Sequence, residues 1–456
     1  MTIPSLTSDQ TTPRSARGPA HARRATTATI LVALLLAPAC SGAEGQSRDH
    51  AGATSATSPR VLRVLTSLSG PDADNFKRAL KWFTARSGIE VETLSEGGDF
   101  ATDASIAATS PDGADVLLFP QPGLFADQAR SRQLVAVDDM AETVRTSFGP
   151  ALGELATVDG TLFGVWTRAS VSSLIWYRRD KFAAAGYAVP TTQEELATLV
   201  DRISTAGGPA PFCLGLEDGS AAGWPLTDWV EDAVLQRHGT AVYNSWVRHE
   251  LVFDSPEIRG AIDGVRSLAL TSGHAVGNPD SIEVTPVESA MEPLFGDTPG
   301  CLMYRMAEWV AGDFPEGTTV GDAGELDVFP VPPAAGQPSG RLLVSGDIAA
   351  IAHDSVSAHQ LLAYFATDEF ALAWASAGGY LSPLQTFDSS AYPDDAIRKV
   401  ARILSSGTEL AFDGSDLMPP EVGTGTFLSG MVSLAKGSST TEIVRSIDAS
   451  WPTGQG

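Results

Sequence analysis

The chain has 456 residues, of which 43% are hydrophobic and 19% charged, the balance of a water-soluble globular protein with room for two or three domains. Its net charge is −25, and because the first 39 residues hold four arginines against one aspartate, a local +3, the remainder stands at −28. A body this acidic cannot hold nucleic acid by counterion release, and no Lys/Arg cluster is present to receive an anionic substrate, so a neutral ligand is expected.

In chain order, residues 1–27 are polar and carry Arg14, Arg17, Arg23 and Arg24. An apolar run from Ala28 to Ala37 follows, too short to span a bilayer as a helix. Basic, then apolar, then small residues read as a signal peptide over residues 1–39. The stretch Leu36-Ala37-Pro38-Ala39-Cys40-Ser41 looks like a bacterial lipobox with its leucine four residues before the cysteine, so that a lipidated Cys40 would become the mature N-terminus. Ala37-Pro38-Ala39 equally suits ordinary signal peptidase. Residues 40–59 are rich in Gly, Ser, Ala and Thr and read as a flexible tether.

Val61–Leu65 reads as a strand, Ser67–Asp72 as a loop, and Phe76, Leu80 and Phe83 mark a helix that stops at Gly88. Ile89–Leu94 and Asp115–Phe119 are further strands, the second broken by Pro120-Gln121-Pro122-Gly123. This rhythm indicates a parallel α/β sheet, in which ligands sit past the carboxyl ends of strands, here the loops at Ser69–Asp72 and Pro120–Gly123. Thr161–Arg168 and Ser173–Tyr177 are β-prone runs. Thr191 and Thr192 each have a glutamate three residues on, so either can form a capping box for a helix with Leu196, Leu199, Val200 and Ile203 on its apolar face.

Pro211–Asp232 is the most informative stretch. Phe212-Cys213-Leu214 ends a buried strand, Glu217-Asp218-Gly219-Ser220 is a polar turn, and a helix follows Pro225 with Asp228, Glu231 and Asp232 expected in its first turn, where negative charge suits the helix dipole. Glu217 with Trp224 and Trp229 just past a strand end supplies a carboxylate for adjacent hydroxyls and indole faces for the C–H face of a sugar ring; the alternative is that both tryptophans are core and Glu217 caps a turn. Farther on, residues 254–296 read as mostly helical, Leu302–Tyr304, Val328–Pro332 and Leu342–Asp347 as extended, Ser357–Ala375 as one helix broken at Gly378–Pro383, and Phe427, Met431, Ile443, Val444 and Ile447 as the core of C-terminal helices.

Catalytic constellations are lacking in the sequence. There is no G-x-S-x-G elbow and no phosphate-binding loop, and the histidines show no metal spacing. Asp413-Gly414-Ser415-Asp416 lacks the alternating ligands of a calcium loop and reads as a turn. Adjacent Glu217 and Asp218 diverge, whereas glycosidase carboxylates flank a bond from opposite sides. No catalytic residue, metal or cofactor is therefore expected. If the chain is exported, Cys213 and Cys301 pair by default, the alternative being two buried thiols.

The export signal, tether and α/β body resemble an extracellular solute-binding protein of a bacterial ABC importer, in the sugar-binding family that includes maltose-binding protein and in its α-glucoside-type branch. The likeness is carried by Phe119-Pro-Gln-Pro-Gly123, Phe163-Gly-Val-Trp166, Leu174-Ile-Trp-Tyr177, Ala185–Leu196, Phe212–Asp232, Pro299-Gly300-Cys301, Gly346-Asp347, Gly378–Pro383 and Phe412–Pro419. It implies a two-lobe type II periplasmic-binding-protein fold: lobe one at 60–165 plus 340–378, lobe two at 168–328 plus 385–456, with crossings near Gly164–Arg168, Pro330–Gly340 and Gly379–Pro383. It puts Cys213 and Cys301 in one lobe, in favour of a disulfide.

The resemblance also implies a set of ligand contacts. Glu217 and Trp309 match a sugar-binding carboxylate and a stacking tryptophan, and Trp224 belongs to a matching Trp-Pro pair. Arg168 stands where maltose-binding protein has a glutamate. Ser69 and Asp72 correspond to a first-strand loop in which Leu68 replaces the branch's tryptophan. Gln121 and Asp347 complete the set, and Phe427 roughly matches another stacking aromatic. The implied partners are a neutral di- or oligosaccharide, permease subunits driven by a cytoplasmic ATPase, and the membrane through lipidated Cys40. The implied state is a monomer at the outer face of the cell membrane. The rivals are the same fold binding a polyol, amino-sugar or glycerophosphodiester, and a surface-anchored glycan hydrolase.

Overall fold

A computed structural model describes residues 61–95, 100–277, 279–407 and 409–452, all within one unit of the chain, Thr57–Gly456. The expected signal peptide, Cys40 and the whole tether, residues 40–59, lie outside the described residues.

The first stretch alternates strand and helix: β1 (Leu62–Thr66), α1 (Gly70–Ser87), β2 (Val91–Ser95), α2 (Phe100–Thr109), β3 (Val116–Phe119), α3 (Pro122–Arg130) and α4 (Ala141–Leu155). A small hairpin, β4 (Thr157–Val158) and β5 (Thr161–Leu162), leads into the long β6 (Gly164–Val171) and β7 (Leu174–Arg178). Then come α5 (Arg179–Ala185), α6 (Gln193–Thr205), β8 (Ala210–Cys213), α7 (Trp224–Val247), α8 (Pro256–Ala269), α9 (Pro279–Val284), β9 (Cys301–Arg305) and β10 (Leu326–Pro330). The chain returns through β11 (Arg341–Ile351), α10 (Val356–Phe365), α11 (Asp368–Ala375), α12 (Asp395–Ser406), β12 (Glu409–Phe412), α13 (Gly414–Leu417), α14 (Leu428–Ala435) and α15 (Thr440–Ser450).

Local chemistry sets most of these boundaries. Helix α1 ends where Gly88 turns left-handed and its N–H closes on Thr84 O. Thr192 caps α6 by accepting from Glu195 N–H, while the Glu195 carboxylate takes the N–H and hydroxyl of Thr191, so the two threonines share the cap. The helix expected over Ser357–Ala375 is two helices, because the Thr367 hydroxyl accepts from Phe370 N–H and starts α11 afresh.

Asp228, Glu231 and Asp232 depart from expectation. Helix α7 begins at Trp224, so none of them lies in its first turn, and all three are buried. Asp228 and Asp232 clamp the Arg305 guanidinium at 2.9 and 2.5 Å. Glu231 accepts from Gly414 N–H, Ser415 N–H and the Tyr243 hydroxyl, fixing the start of α13. Each carboxyl has donors, and burial raises the pKa of Asp228 and Glu231 well above the ordinary carboxyl range.

Two sheets organise the chain. The first runs β12-β11-β3-β1-β2, with β6 along the other edge of β11; β1 is parallel to β2 and β3, and β11 is antiparallel to β3 and β6. The second runs β10-β7-β9-β8. Each sheet carries its own buried cluster, one around Val64, Phe76, Phe119 and Trp374, the other around Phe212, Val234, Trp246 and Phe427. Strand β6 runs on into β7 of the second sheet, and β11 follows β10 of that sheet. The N-terminal end of β11 pairs with β12, and its C-terminal end with β3. Leu381 bridges Ala169 of β6 in antiparallel fashion. Between β10 and β11, residues Pro333–Ala335 pack on α6 and α7. Among the described residues no helix is long and apolar enough to cross a membrane.

Cys213 at the end of β8 and Cys301 at the start of β9 form a disulfide with Cα atoms 5.4 Å apart, closing an 88-residue separation. In the chain-entropy model a loop of this length stabilises by roughly 4–5 kcal/mol. Replacing both cysteines by alanine is expected to lower unfolding stability by about 2–5 kcal/mol in denaturant titration, and dithiothreitol is expected to destabilise the parent but leave the variant unchanged.

Candidate ligand cleft

The register of the crossing strands creates the site. β6 and β11 place Arg168 directly opposite Asp347, and the ladder slips by a bulge between Asp347 and Ile348. A bulge bends the strand and re-aims its side chains. Close packing on the inner side makes Gly346 obligatory: a Cβ there would lie 2.3 Å from Arg168 O and 3.1 Å from the Trp166 ring. The Arg168 guanidinium therefore projects between two carboxylates, with Nε 2.5 Å from Asp347 Oδ2 and Nη1 2.5 Å from Asp72 Oδ2. Asp72 belongs to the first turn of α1, so the contact ties that helix to the crossing strands.

The three side chains are only 14%, 3% and 19% exposed for Arg168, Asp347 and Asp72. Burial alone would lower the Arg168 pKa; the Asp347 and Asp72 carboxylates more than offset it and raise it. Burial pushes the Asp347 carboxyl above its ordinary range in spite of Arg168. The cation is thus balanced in charge, although Arg168 Nε and Asp347 Oδ2 meet without hydrogen-bond geometry. Asp72 Oδ1 is buried without a hydrogen-bond partner, an acceptor left over at the edge of the group.

The second half faces this group with aromatics and acids. Trp224 and Trp309, both half-buried, stand with ring centroids 6.3 Å apart at 47°. Trp224 Nε1 donates to Asp218 Oδ2 at 3.0 Å. Glu217 is exposed and accepts from Gly219 N–H within its own turn, and its backbone pairs with Thr285 and Val287. That pairing brings up Glu288, whose Oε1 accepts from the Ser69 hydroxyl at 2.9 Å. Ser69 precedes α1 on the first sheet's side, so this bond closes the rim from one half to the other.

The acids feel one another. Burial, then Asp72 and Glu288, push Asp313 up to about 6; burial, with Glu288 and Glu217, raises Asp218. Such a wall repels anions and offers acceptors to hydroxyl donors, each charge-assisted bond contributing about 1.5–3 kcal/mol.

Of the residues singled out from the sequence, Arg168, Asp347, Asp72, Ser69, Glu217, Trp224 and Trp309 converge on this region. Gln121 is half-buried at the N-terminal end of α3, with no hydrogen bond to the group among the described residues. Phe427 is corrected: it is 0% exposed and packs edge-on against Trp246 and Phe253, so it is core and cannot stack on a ligand. Trp229 is likewise core, against Phe212, and Leu68 is buried. Sequence reading missed Glu288, Asp313 and Glu308, because no motif marks them and only the fold brings Glu288 to Ser69, Asp313 toward Asp72 and Glu308 toward Arg168.

Residues 69–372 match the family described as bacterial extracellular solute-binding protein. The chain is 37% identical over 427 residues to the osmoprotective compounds-binding protein GgtB of Synechocystis sp., covering 93% of this chain and 98% of that one. It is 29% identical over 402 residues to the alpha-glucosides-binding periplasmic protein AglE of Rhizobium meliloti, covering 86% and 87%. Among solved structures it is similar to the bacterial solute receptor AcbH (TM-score 0.74, 16% identity, 86% and 96% covered) and to maltose-bound MalE3 of T. maritima (0.66, 18%, 85% and 98%). The chain belongs to the family of bacterial extracellular solute-binding proteins, with the two-lobe type II fold of periplasmic sugar-binding proteins, and is the solute-binding component of an ABC importer.

Removing the cation from the cleft floor strands two buried carboxylates. Arg168→Met is expected to cost about 3–5 kcal/mol at pH 8, the usual loss when one partner of a buried pair is removed. Without Arg168 the Asp347 pKa rises further above its unfolded value of about 4, and a raised carboxyl destabilises increasingly as pH climbs from the unfolded toward the folded pKa. The deficit measured by denaturant unfolding is therefore expected to be smaller at pH 5 than at pH 8.

Proposed function

We propose that this protein captures a neutral, hydroxyl-rich solute of the α-glucoside class, a di- or oligosaccharide, between its two lobes and delivers it unchanged to the permease. The observation that carries the reading is the compensated Arg168. A cation held by two carboxylates in a cleft rimmed by Glu217, Asp218, Glu288 and Asp313 leaves no positive charge for an anionic solute. Trp309 and Trp224 would cover the apolar face of a pyranose, and the carboxylates would accept from its hydroxyls. The alpha-glucosides-binding relative supports the same class.

In this reading lobe one comprises 60–165 and 340–378, and lobe two 168–328 and 385–456. Residues 1–39 direct export, Cys40 carries the lipid anchor, and the monomeric body works at the outer face of the membrane on its tether. Ser69, Asp72, Asp347, Glu217 and Gln121 are proposed as further contacts. In this reading the ligand is bound and handed on without being cleaved, in keeping with relatives that are named as binding proteins. A second reading is favoured by the relative of highest identity quoted above, named for osmoprotective compounds: a smaller neutral polyol-bearing solute in the same cleft.

A thermal-shift screen of residues 60–456 against maltose, trehalose, sucrose, longer α-glucans, polyols and glycerophosphocholine separates these readings. A ligand at about a hundred times its dissociation constant adds roughly 2.7 kcal/mol to folding. A glucoside or polyol glucoside is expected to raise the melting temperature, and Trp309→Ala to weaken its binding about tenfold or more by calorimetry. A shift only with glycerophosphocholine would overturn the reading, as would turnover of an oligosaccharide that Glu217→Gln abolishes.

A further inference from the structure

Strand β6 has an open edge where it passes between the lobes. Its N–H groups alternate in direction, and on the side away from β11 Ala169 N–H donates to Leu381 O at 3.0 Å. Two residues on, Val171 N–H points the same way, and no strand carbonyl meets it. Glu308 does: its Oε2 accepts from Val171 N–H at 2.7 Å and from the Ser170 hydroxyl at 3.0 Å. Glu308 is 1% exposed and immediately precedes Trp309, at the head of the short turn Glu308–Asp313.

The other side of that turn also rests on a crossing segment. Gly379, at φ +66, brings its backbone against Trp309 O and Gly312; a Cβ there would lie 3.4 Å from Trp309 O. The Gly378 carbonyl is in turn held by Asn75 Nδ2 of α1 at 3.0 Å. The tryptophan turn is therefore gripped between two segments that join the lobes.

We propose that Glu308 is a positioning residue that stands in for a missing strand carbonyl on β6 and so couples the setting of Trp309 to the crossing strands. The inference rests on the reading of Trp309 as a ligand contact, but the geometry it predicts exists without ligand. A carboxylate suits the task because one oxygen can take two donors at once; protonation removes the charge assistance and weakens both bonds. Burial pushes this carboxyl up to about 7, against the Val171 N–H, its own backbone N–H, Arg168 and Ser170, which lower it. The charged and titratable groups around it are Arg168 on β6, the Tyr392 hydroxyl before α12, and Asp72, Asp313 and Asp347 across Arg168. Protonation of Glu308 near neutral pH is then expected to loosen the turn and move the indole.

The test is ¹⁹F NMR of the exported body labelled with 5-fluorotryptophan at its nine tryptophans, without ligand. The Trp309 resonance is identified by its loss in Trp309→Phe. It is expected to shift with a midpoint near pH 7 between about pH 5.5 and about pH 8.5. Glu308→Gln is expected to abolish the shift, Glu308→Asp to keep it with a displaced midpoint, and Asp313→Asn to leave it in place. Absence of a transition near pH 7 in the parent, its survival in Glu308→Gln, or its loss in Asp313→Asn would overturn the proposal. Since the parent and Asp313→Asn titrations decide the matter even if Glu308→Gln does not fold, and no sugar is present, the outcome is independent of the substrate reading.

Discussion

Everything distinctive about the cleft depends on how Arg168 is neutralised. The residue sits on a strand that crosses between lobes, opposite Asp347 on the antiparallel crossing strand, and it reaches Asp72 on α1. Desolvating three charges is expensive, and a pair removed from water is seldom a net gain over apolar packing. What the arrangement secures is geometry. Either carboxylate alone would leave the guanidinium seeking another anion; together they leave it none. The cleft floor becomes polar without being positive, which fits hydroxyl-bearing solutes and disfavours phosphate esters.

The second lobe completes the surface from a different direction. Its acids are spread over three segments: Glu217 and Asp218 after β8, Glu288 beyond α9, and Asp313 in the turn after Trp309. The backbone pairing of Glu217 with Thr285 and Val287 aligns the first two segments, and the Ser69–Glu288 bond joins them to α1. The Arg168 group in turn ties α1, through Asp72, to β6 and β11. The disulfide joins β8 to β9, the strand that leads into the Trp309 turn.

Much of this was legible in the residues, for reasons that can be named. Strand–helix alternation up to α3, the shared threonine cap of α6 and the stop at Gly88 are local signals, and local chemistry decides them. The order of weak motifs from Phe119 to Pro419 carried the family and the two-lobe fold. The site was legible only in part. Arg168 and Asp347 stand 179 positions apart, and nothing in either neighbourhood announces that strand register will pair them. Asp228, Glu231 and Asp232 read as a helix first turn because negative charge suits the dipole there; their burial depends on Arg305 and on the N-terminal N–H groups of α13, both distant in sequence. Phe427 was legible as core from its helical spacing, and the weaker alignment with a stacking aromatic pointed elsewhere; the core reading is the one its burial supports.

The most direct test of the central claim is a pair of calorimetric titrations, one with a neutral glucoside and one with the same glucoside carrying a phosphate, such as trehalose and trehalose 6-phosphate or maltose and maltose 1-phosphate. If Arg168 is spoken for and the rim is acidic, the neutral member of the recognised pair binds and its ester binds about a hundredfold more weakly, a difference of roughly 2.7 kcal/mol. An ester that binds as tightly as the neutral sugar, or more tightly, would show that Arg168 is released from Asp72 and Asp347 to meet an anion, and would contradict the account.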